Sequence, residues 1–121
     1  MTERRRFPAS LYGVGTEPDG RFTLANERTF LAWIRTSLAF IAAGVALEAL
    51  VPAMLPGFRI AASTVLVLTG IAIPIGAWFG WLRIERALRQ ERPLPSPVLA
   101  LPVVVAVVVV GILVALGFAF A

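Results

Sequence analysis

From Ile60 to Leu82 the chain carries no charged side chain, and beyond Arg92 it carries none at all. A helix crossing a bilayer needs about 20 consecutive, mainly apolar residues. Both uncharged stretches reach that length. A third stretch, Phe30 to Val51, is interrupted only by Arg35 and Glu48. The valine-rich run from Val98 to Ala121 far exceeds a strand, whose usual length is about 5–6 residues. The expected fold is therefore an all-α integral membrane protein with three transmembrane helices, spanning about 30–51, 60–82 and 98–121.

Charge is segregated rather than spread over a surface. Charged residues make up 15% of the 121 and hydrophobic ones 59%, and the mean hydropathy is +0.86. That leaves no room for a soluble catalytic domain beside the spans. No internal repeat marks a second domain. The organisation read from the sequence is a flexible cytoplasmic arm, 1–22, and a membrane domain, 23–121, whose polar link, 83–97, lies in the cytoplasm.

The arm is polar, with Pro8, Gly13, Gly15, Pro18 and Gly20 and no apolar period. Arg4, Arg5 and Arg6 resemble the basic start of a signal peptide, but no apolar run follows directly. They read instead as a topology anchor or a contact for anionic headgroups. Thr23 or Asn26 is the expected cap of the first span, with Glu27 in its first turn. Pro52 ends it, and Pro56 and Gly57 mark a short loop. Pro74 sits within the second span, where membrane helices tolerate proline because neighbours satisfy the freed carbonyl. Trp78 and Trp81 suit an interfacial aromatic belt. The link is expected to begin as a helical extension and to break at Pro93, Pro95 and Pro97.

All eleven basic residues are arginine. Six lie between the start and Arg35, and four more in the link, at 83, 86, 89 and 92. The loop between the first two spans has only Arg59. Retention of arginine on the cytoplasmic side puts the N-terminus and the link inside and the C-terminus outside.

Phe22 to Leu38 reads FTLANERTFLAWIRTSL. With Gly44-Val45-Ala46-Leu47, Trp81-Leu82-Arg83, Glu85-Arg86-Ala87 and Pro93-Leu94-Pro95, it resembles the bacterial inner-membrane family of unknown function typified by YidH. The resemblance implies a three-helix membrane fold in the bacterial cytoplasmic membrane. It also extends to the membrane domain of the eukaryotic vacuolar transporter chaperone complex, where five such domains surround a pore for polyphosphate lined by basic residues of the first helix. By that likeness the candidate pore or anion-binding residues are Arg28, Arg35 and Arg83. Glu27 and Glu85 are the supporting carboxylates, and a homo-oligomer, a pentamer by analogy, is implied.

The helical wheel adds a separate clue. At about 100° per residue, Arg28, Ala32, Arg35, Ala39, Ala42, Ala43 and Ala46 form one stripe, while Phe30, Trp33, Ile34, Phe40, Ile41 and Leu47 occupy the rest. Small residues permit close helix packing or an open lumen. An arginine facing lipid at the centre of a span costs about 2.5–3.5 kcal/mol on insertion scales. Arg35 is expected to snorkel or to pair with a carboxylate, Glu85 being the best candidate; compatibly with that pairing, rings of Arg28 and Arg35 would attract anions at the cytoplasmic mouth of an oligomer.

Glu48 lies thirteen residues from Arg35, about 20 Å along one helix, so its natural partner is Arg59 in a structural ion pair. Gly76 and Gly80, with Ala72 at the same spacing, form a GxxxG that favours some helix contact. The run Arg83, Glu85, Arg86, Arg89, Glu91, Arg92 reads as a solvated juxtamembrane helix or as a surface for anionic lipid. Its basic residues lack the aromatic interleaving of a nucleic-acid surface.

Cysteine and histidine are absent. This removes disulfides, thiolate metal sites and the usual general base. Ser10, Ser37, Ser63 and Ser96 have no histidine or lysine to activate them, so no enzyme, cofactor or metal site is expected. The leading expectation is an arginine-lined pore or anion conduit. The alternatives are a non-conducting scaffold or accessory subunit for a partner membrane complex, and a lipid-binding organiser.

Overall fold

Asp19 starts the first long helix. Its carboxylate accepts the Arg21 N–H at 2.9 Å and the Arg21 guanidinium at 2.9 Å, satisfying one of the free donors at a helix start. These bonds hold the Asp19 carboxyl below its ordinary range. The helix then runs without a break from Gly20 to Leu50, ending where Val51 leaves the helical conformation ahead of Pro52.

The computed structural model describes residues 6–121. Over them it has four helices and no strand: α1 (Ala9–Tyr12), α2 (Gly20–Leu50), α3 (Pro56–Arg89) and α4 (Ala100–Ala119). Three are long and apolar enough to cross a membrane, in agreement with the expected all-α three-span fold. Their bounds differ from the apolar runs. α2 begins ten residues before Phe30 because Asp19 caps it, which frees Thr23 and Asn26 for other work. Pro56 opens α3 at its first turn, where a missing N–H costs nothing.

With 31 and 34 residues, α2 and α3 are about 46 and 51 Å long, against a hydrocarbon thickness of about 30 Å. The 20 residues of α4 match that thickness at about 30 Å. Glu48 and Arg59 lie at one end of the α2–α3 pair. α4 runs beside α3 only from Gly117 at Phe58 to Leu99 at Gly76, so α3 extends past it at the other end, which also holds the arm and the α3–α4 link and is called the basic end below.

α3 is the central helix: α2 and α4 each pack on it and, among the described residues, not on each other. The α2–α3 seam is closest at Gly44 and Gly70. A Cβ on Gly44 would meet the Ser63 carbonyl at 3.0 Å, and one on Gly70 the Ser37 carbonyl at 2.9 Å. The expected helix-contact motif is not this seam. Gly76 lies against Leu99, the residue that opens α4, and Gly80 has open space where a side chain would be. Near the basic end Trp78 stacks on Trp81 at 5.4 Å and takes Phe30 edge-on at 6.4 Å.

Pro74 does not break α3. A proline within a helix leaves the carbonyl four residues earlier without its donor, here that of Gly70. The Ser37 hydroxyl of α2 donates to it at 2.5 Å.

Leu99, Val103, Ala106, Val110, Leu113 and Gly117 form the half-buried to buried stripe by which α4 lies on α3. Apart from the half-buried Val114 and Leu116, the rest of α4 is exposed, its large side chains mostly valine with Leu101, Ile112 and Phe118, a surface suited to lipid. Met54, 1% exposed, fills the space beside Gly117, and the Leu55 N–H bonds the Gly117 carbonyl at 3.0 Å. α3 stops in a Schellman turn: Arg92 N–H donates to Ala87 O and Glu91 N–H to Leu88 O, with Glu91 left-handed at φ 52°.

The arm, expected from its sequence to be flexible, lies against the end of α3. Among its described residues Leu11 is wholly buried, and the segment to Glu17 is bonded to the end of α3. Of the arginine cluster, Arg4 and Arg5 lie outside the described residues.

Candidate functional site

The two faces of α2 divide as their side chains do. Phe30, Trp33, Ile34, Phe40, Ile41 and Leu47 are all half-buried, turned toward the rest of the chain, with Asn26, Ser37 and Gly44 buried between them. Arg28, Ala32, Arg35, Ala39, Ala42, Ala43 and Ala46 are all exposed. Volume favours this arrangement, since bulky apolar residues gain most from contact with α3, although Leu24, Leu31, Leu38 and Val45 are exposed beside the alanines and arginines. Arg35 lies seven residues beyond Arg28, about 10 Å further toward the middle of the span. Among the described residues neither Arg28 nor Arg35 makes an ion pair or a side-chain hydrogen bond, and Glu27 beside them is exposed.

Glu85, the carboxylate expected to pair with Arg35, is engaged elsewhere. It is 1% exposed. Asn26 Nδ2 donates to its Oε1 at 3.1 Å, and Thr23 Oγ1 donates to its Oε2 at 3.3 Å. Asn26 Nδ2 also donates to the Trp81 carbonyl at 3.1 Å. Residues i and i+3 of α2 thus meet i and i+4 of α3, so that the helix pair is locked in register at the basic end. Thr23 and Asn26 are therefore not the caps expected of them. Their shared face is visible in the spacing, but a partner some sixty residues away is not.

Arg89 is the second residue that the sequence reading missed. It is 7% exposed, not part of a solvated helix. Its Nε donates to Val14 O at 2.8 Å, its Nη2 to Tyr12 O at 3.0 Å, and its Nη1 meets Glu17 Oε1 at 3.4 Å. The Thr16 N–H returns a bond to Arg89 O at 3.0 Å. Arg6 pairs with Glu17 and lies 4.2 Å over the Tyr12 ring. Gly15, at φ +62°, lets the arm pass against the Arg89 carbonyl, where a Cβ would collide. The one available signal was Leu11-Tyr12, an apolar pair in an otherwise polar segment.

Arg83 is not brought together with Arg28 and Arg35. It lines a cavity of about 230 Å³ with Arg86 and Arg92. It also lies on the rim of a second, apolar cavity of about 150 Å³ between α2, α3 and the link.

At the opposite end the structure brings Glu48 and Arg59 together. Arg59 Nε lies 3.5 Å from Glu48 Oε2, an ion-pair contact without hydrogen-bond geometry. Arg59 Nη1 donates to Val51 O at 3.4 Å. The arginine is 17% exposed and the glutamate 48%, so the pair sits half in and half out of the protein. Among the described residues no three metal-ligating side chains converge.

Comparison with known proteins covers the same elements. The sequence profile of the family "Domain of unknown function (DUF202)" matches residues 21–87, that is, α2 and nearly all of α3. The chain is 42% identical over 110 residues to inner membrane protein YidH of Escherichia coli (strain K12), spanning 86% of this chain and 96% of that one. The protein of the same name in Shigella flexneri matches equally. An uncharacterized protein of Mycobacterium tuberculosis (strain H37Rv) is 50% identical over 80 residues, 65% of this chain and 66% of its own length. No solved structure gives a significant match.

Proposed function

The chain belongs to the DUF202 family of YidH-like proteins, multi-pass proteins of the bacterial inner membrane, and on that premise we propose that copies of it assemble with α2 toward a common axis as an arginine-lined anion conduit. The observation that carries this reading is the exposed stripe of α2. Arg28 and Arg35 stand there without a partner among the described residues of their own chain, on a stripe shared with Ala32, Ala39, Ala42, Ala43 and Ala46 and flanked by the exposed Leu31 and Leu38.

An arginine facing lipid within a span is costly, by about 2.5–3.5 kcal/mol at the centre and less toward an interface. A water-filled axis removes that cost, and the alanines are too small to close it. Guanidinium groups about 10 Å apart in water repel each other by only about 0.4 kcal/mol, which passing anions or the exposed Glu27 offset. α4, which does not pack on α2, then keeps its valines in lipid. The arginine asymmetry supports a cytoplasmic basic end, and Arg28 is then the outer ring of the cytoplasmic mouth. Small anions and polyphosphate are the candidate passengers; the likeness to the vacuolar transporter chaperone membrane domain supports the second.

The arrangement is tested by disulfide capture. In nanodiscs, Ala39→Cys on the stripe should give intersubunit disulfides under mild oxidation, while Val107→Cys on the exposed face of α4 should give few. The reverse pattern, or a monomer, overturns the conduit; an oligomer whose axis is sealed by the apolar face of another helix promotes the scaffold reading.

A further inference from the structure

The cavity at Arg83, Arg86 and Arg92 has three guanidinium-bearing residues in its lining and no carboxylate. Among the described residues none of the three makes an ion pair, and their one side-chain bond is from Arg86 Nη2 to Ser10 O at 3.5 Å. Arg83 and Pro95 also line the adjoining apolar cavity, whose walls include Phe30, Trp33, Gly76, Gly80 and Leu99. Along α3 the groove residues Gly76 and Gly80 are followed, on the same face, by Arg83. The rise from Gly80 to Arg83 is about 4.5 Å. An apolar groove thus runs out of the span into a cationic pocket at the interface, where Trp81 stands.

We propose that this cleft holds one anionic phospholipid, with its phosphate on Arg83, Arg86 and Arg92 and an acyl chain in the groove against Trp33 and Gly80. Arginine forks match phosphate oxygens, and charge complementarity selects an acidic headgroup. The adjoining groove selects a lipid over a free phosphate, because a soluble anion leaves it unfilled. Gly80 keeps the groove open, since nothing lies within 4 Å of where its Cβ would be. The site shares no residue with the Arg28–Arg35 stripe and does not depend on the conduit.

The three tryptophans at 33, 78 and 81 report occupancy directly. The full-length protein is placed in phosphatidylcholine vesicles doped with phosphatidylglycerol brominated on its acyl chains, and quenching is compared with that from brominated phosphatidylcholine. The expected result is preferential quenching by phosphatidylglycerol, with the preference falling roughly fivefold per arginine removed in Arg83→Gln and Arg92→Gln. Gly80→Leu should abolish the quenching difference while leaving the charges in place. Arg28→Gln and Arg35→Gln should leave it unchanged, separating this site from the conduit. Equal quenching by both lipids in the unmodified protein overturns the proposal. So does a preference that survives the arginine changes, or one that millimolar inorganic phosphate removes, which would mark a free-anion site.

Discussion

The Ser37 hydroxyl donates across the α2–α3 seam to the Gly70 carbonyl at 2.5 Å, the carbonyl that Pro74 leaves without an intrahelical donor. Gly70 itself is buried against Ile41 and the Ser37 backbone, so water cannot take the place of the hydroxyl. One serine thus makes an internal proline compatible with a 34-residue helix.

Ser37→Ala should therefore destabilise the detergent-solubilised protein by about 1–2 kcal/mol, the cost of an unsatisfied buried acceptor. In a Pro74→Ala background the helix supplies its own donor, and the same change should cost clearly less. Equal losses in both backgrounds, measured as a double-mutant cycle of unfolding, would show that the serine serves something other than the proline.

Much of the fold was legible because the forces that shape it act locally along the chain. Uncharged runs of span length, the loop prolines and the split between bulky and small faces of α2 all follow from residues a few positions apart. The polar connections were not legible. Asn26 and Thr23 bond Glu85 across 59 and 62 residues, and Arg89 reaches back 75 residues to Val14. No periodicity encodes such a pairing. A polar residue at a helix start looks like a cap whichever partner it finally takes, and an arginine in a charged run looks solvated even where an arm folds over it.

At the other end of the α2–α3 pair, Arg59→Ala removes both the contact with Glu48 and the bond to Val51 O, whereas Glu48→Ala leaves the second in place. The arginine change should cost more, by about 1 kcal/mol. The double change should cost less than the two singles together, because each single leaves a charge without its partner. Strict additivity in thermal unfolding would mean that the pair contributes no coupling.

The docked arm gives a local readout. Arg89→Ala should accelerate amide exchange at Thr16 about tenfold or more, a factor of ten corresponding to the loss of roughly one hydrogen bond. Gly15→Ala should do the same without touching any charge, because a Cβ there collides with the Arg89 carbonyl at an unfavourable backbone angle. Unchanged exchange in both variants would detach the arm from Arg89.

Orientation rests on the ten-to-one arginine asymmetry. Single cysteines at Ser10 and Ser96, both exposed, should be shielded from an impermeant thiol reagent in cells with an intact inner membrane. A cysteine at the exposed Ala53 should be labelled. Labelling of Ser96→Cys from outside would invert the assignment.

The conduit is tested most directly by ion selectivity in proteoliposomes, with flux under applied voltage and anion binding measured on the same preparation. Chloride, phosphate or short polyphosphate should pass or bind in preference to cations. Arg35→Gln should weaken that preference severalfold with the oligomer intact, and Arg35→Glu should abolish or reverse it. An intact oligomer that neither conducts nor binds anions, or whose selectivity is indifferent to Arg35, would contradict it.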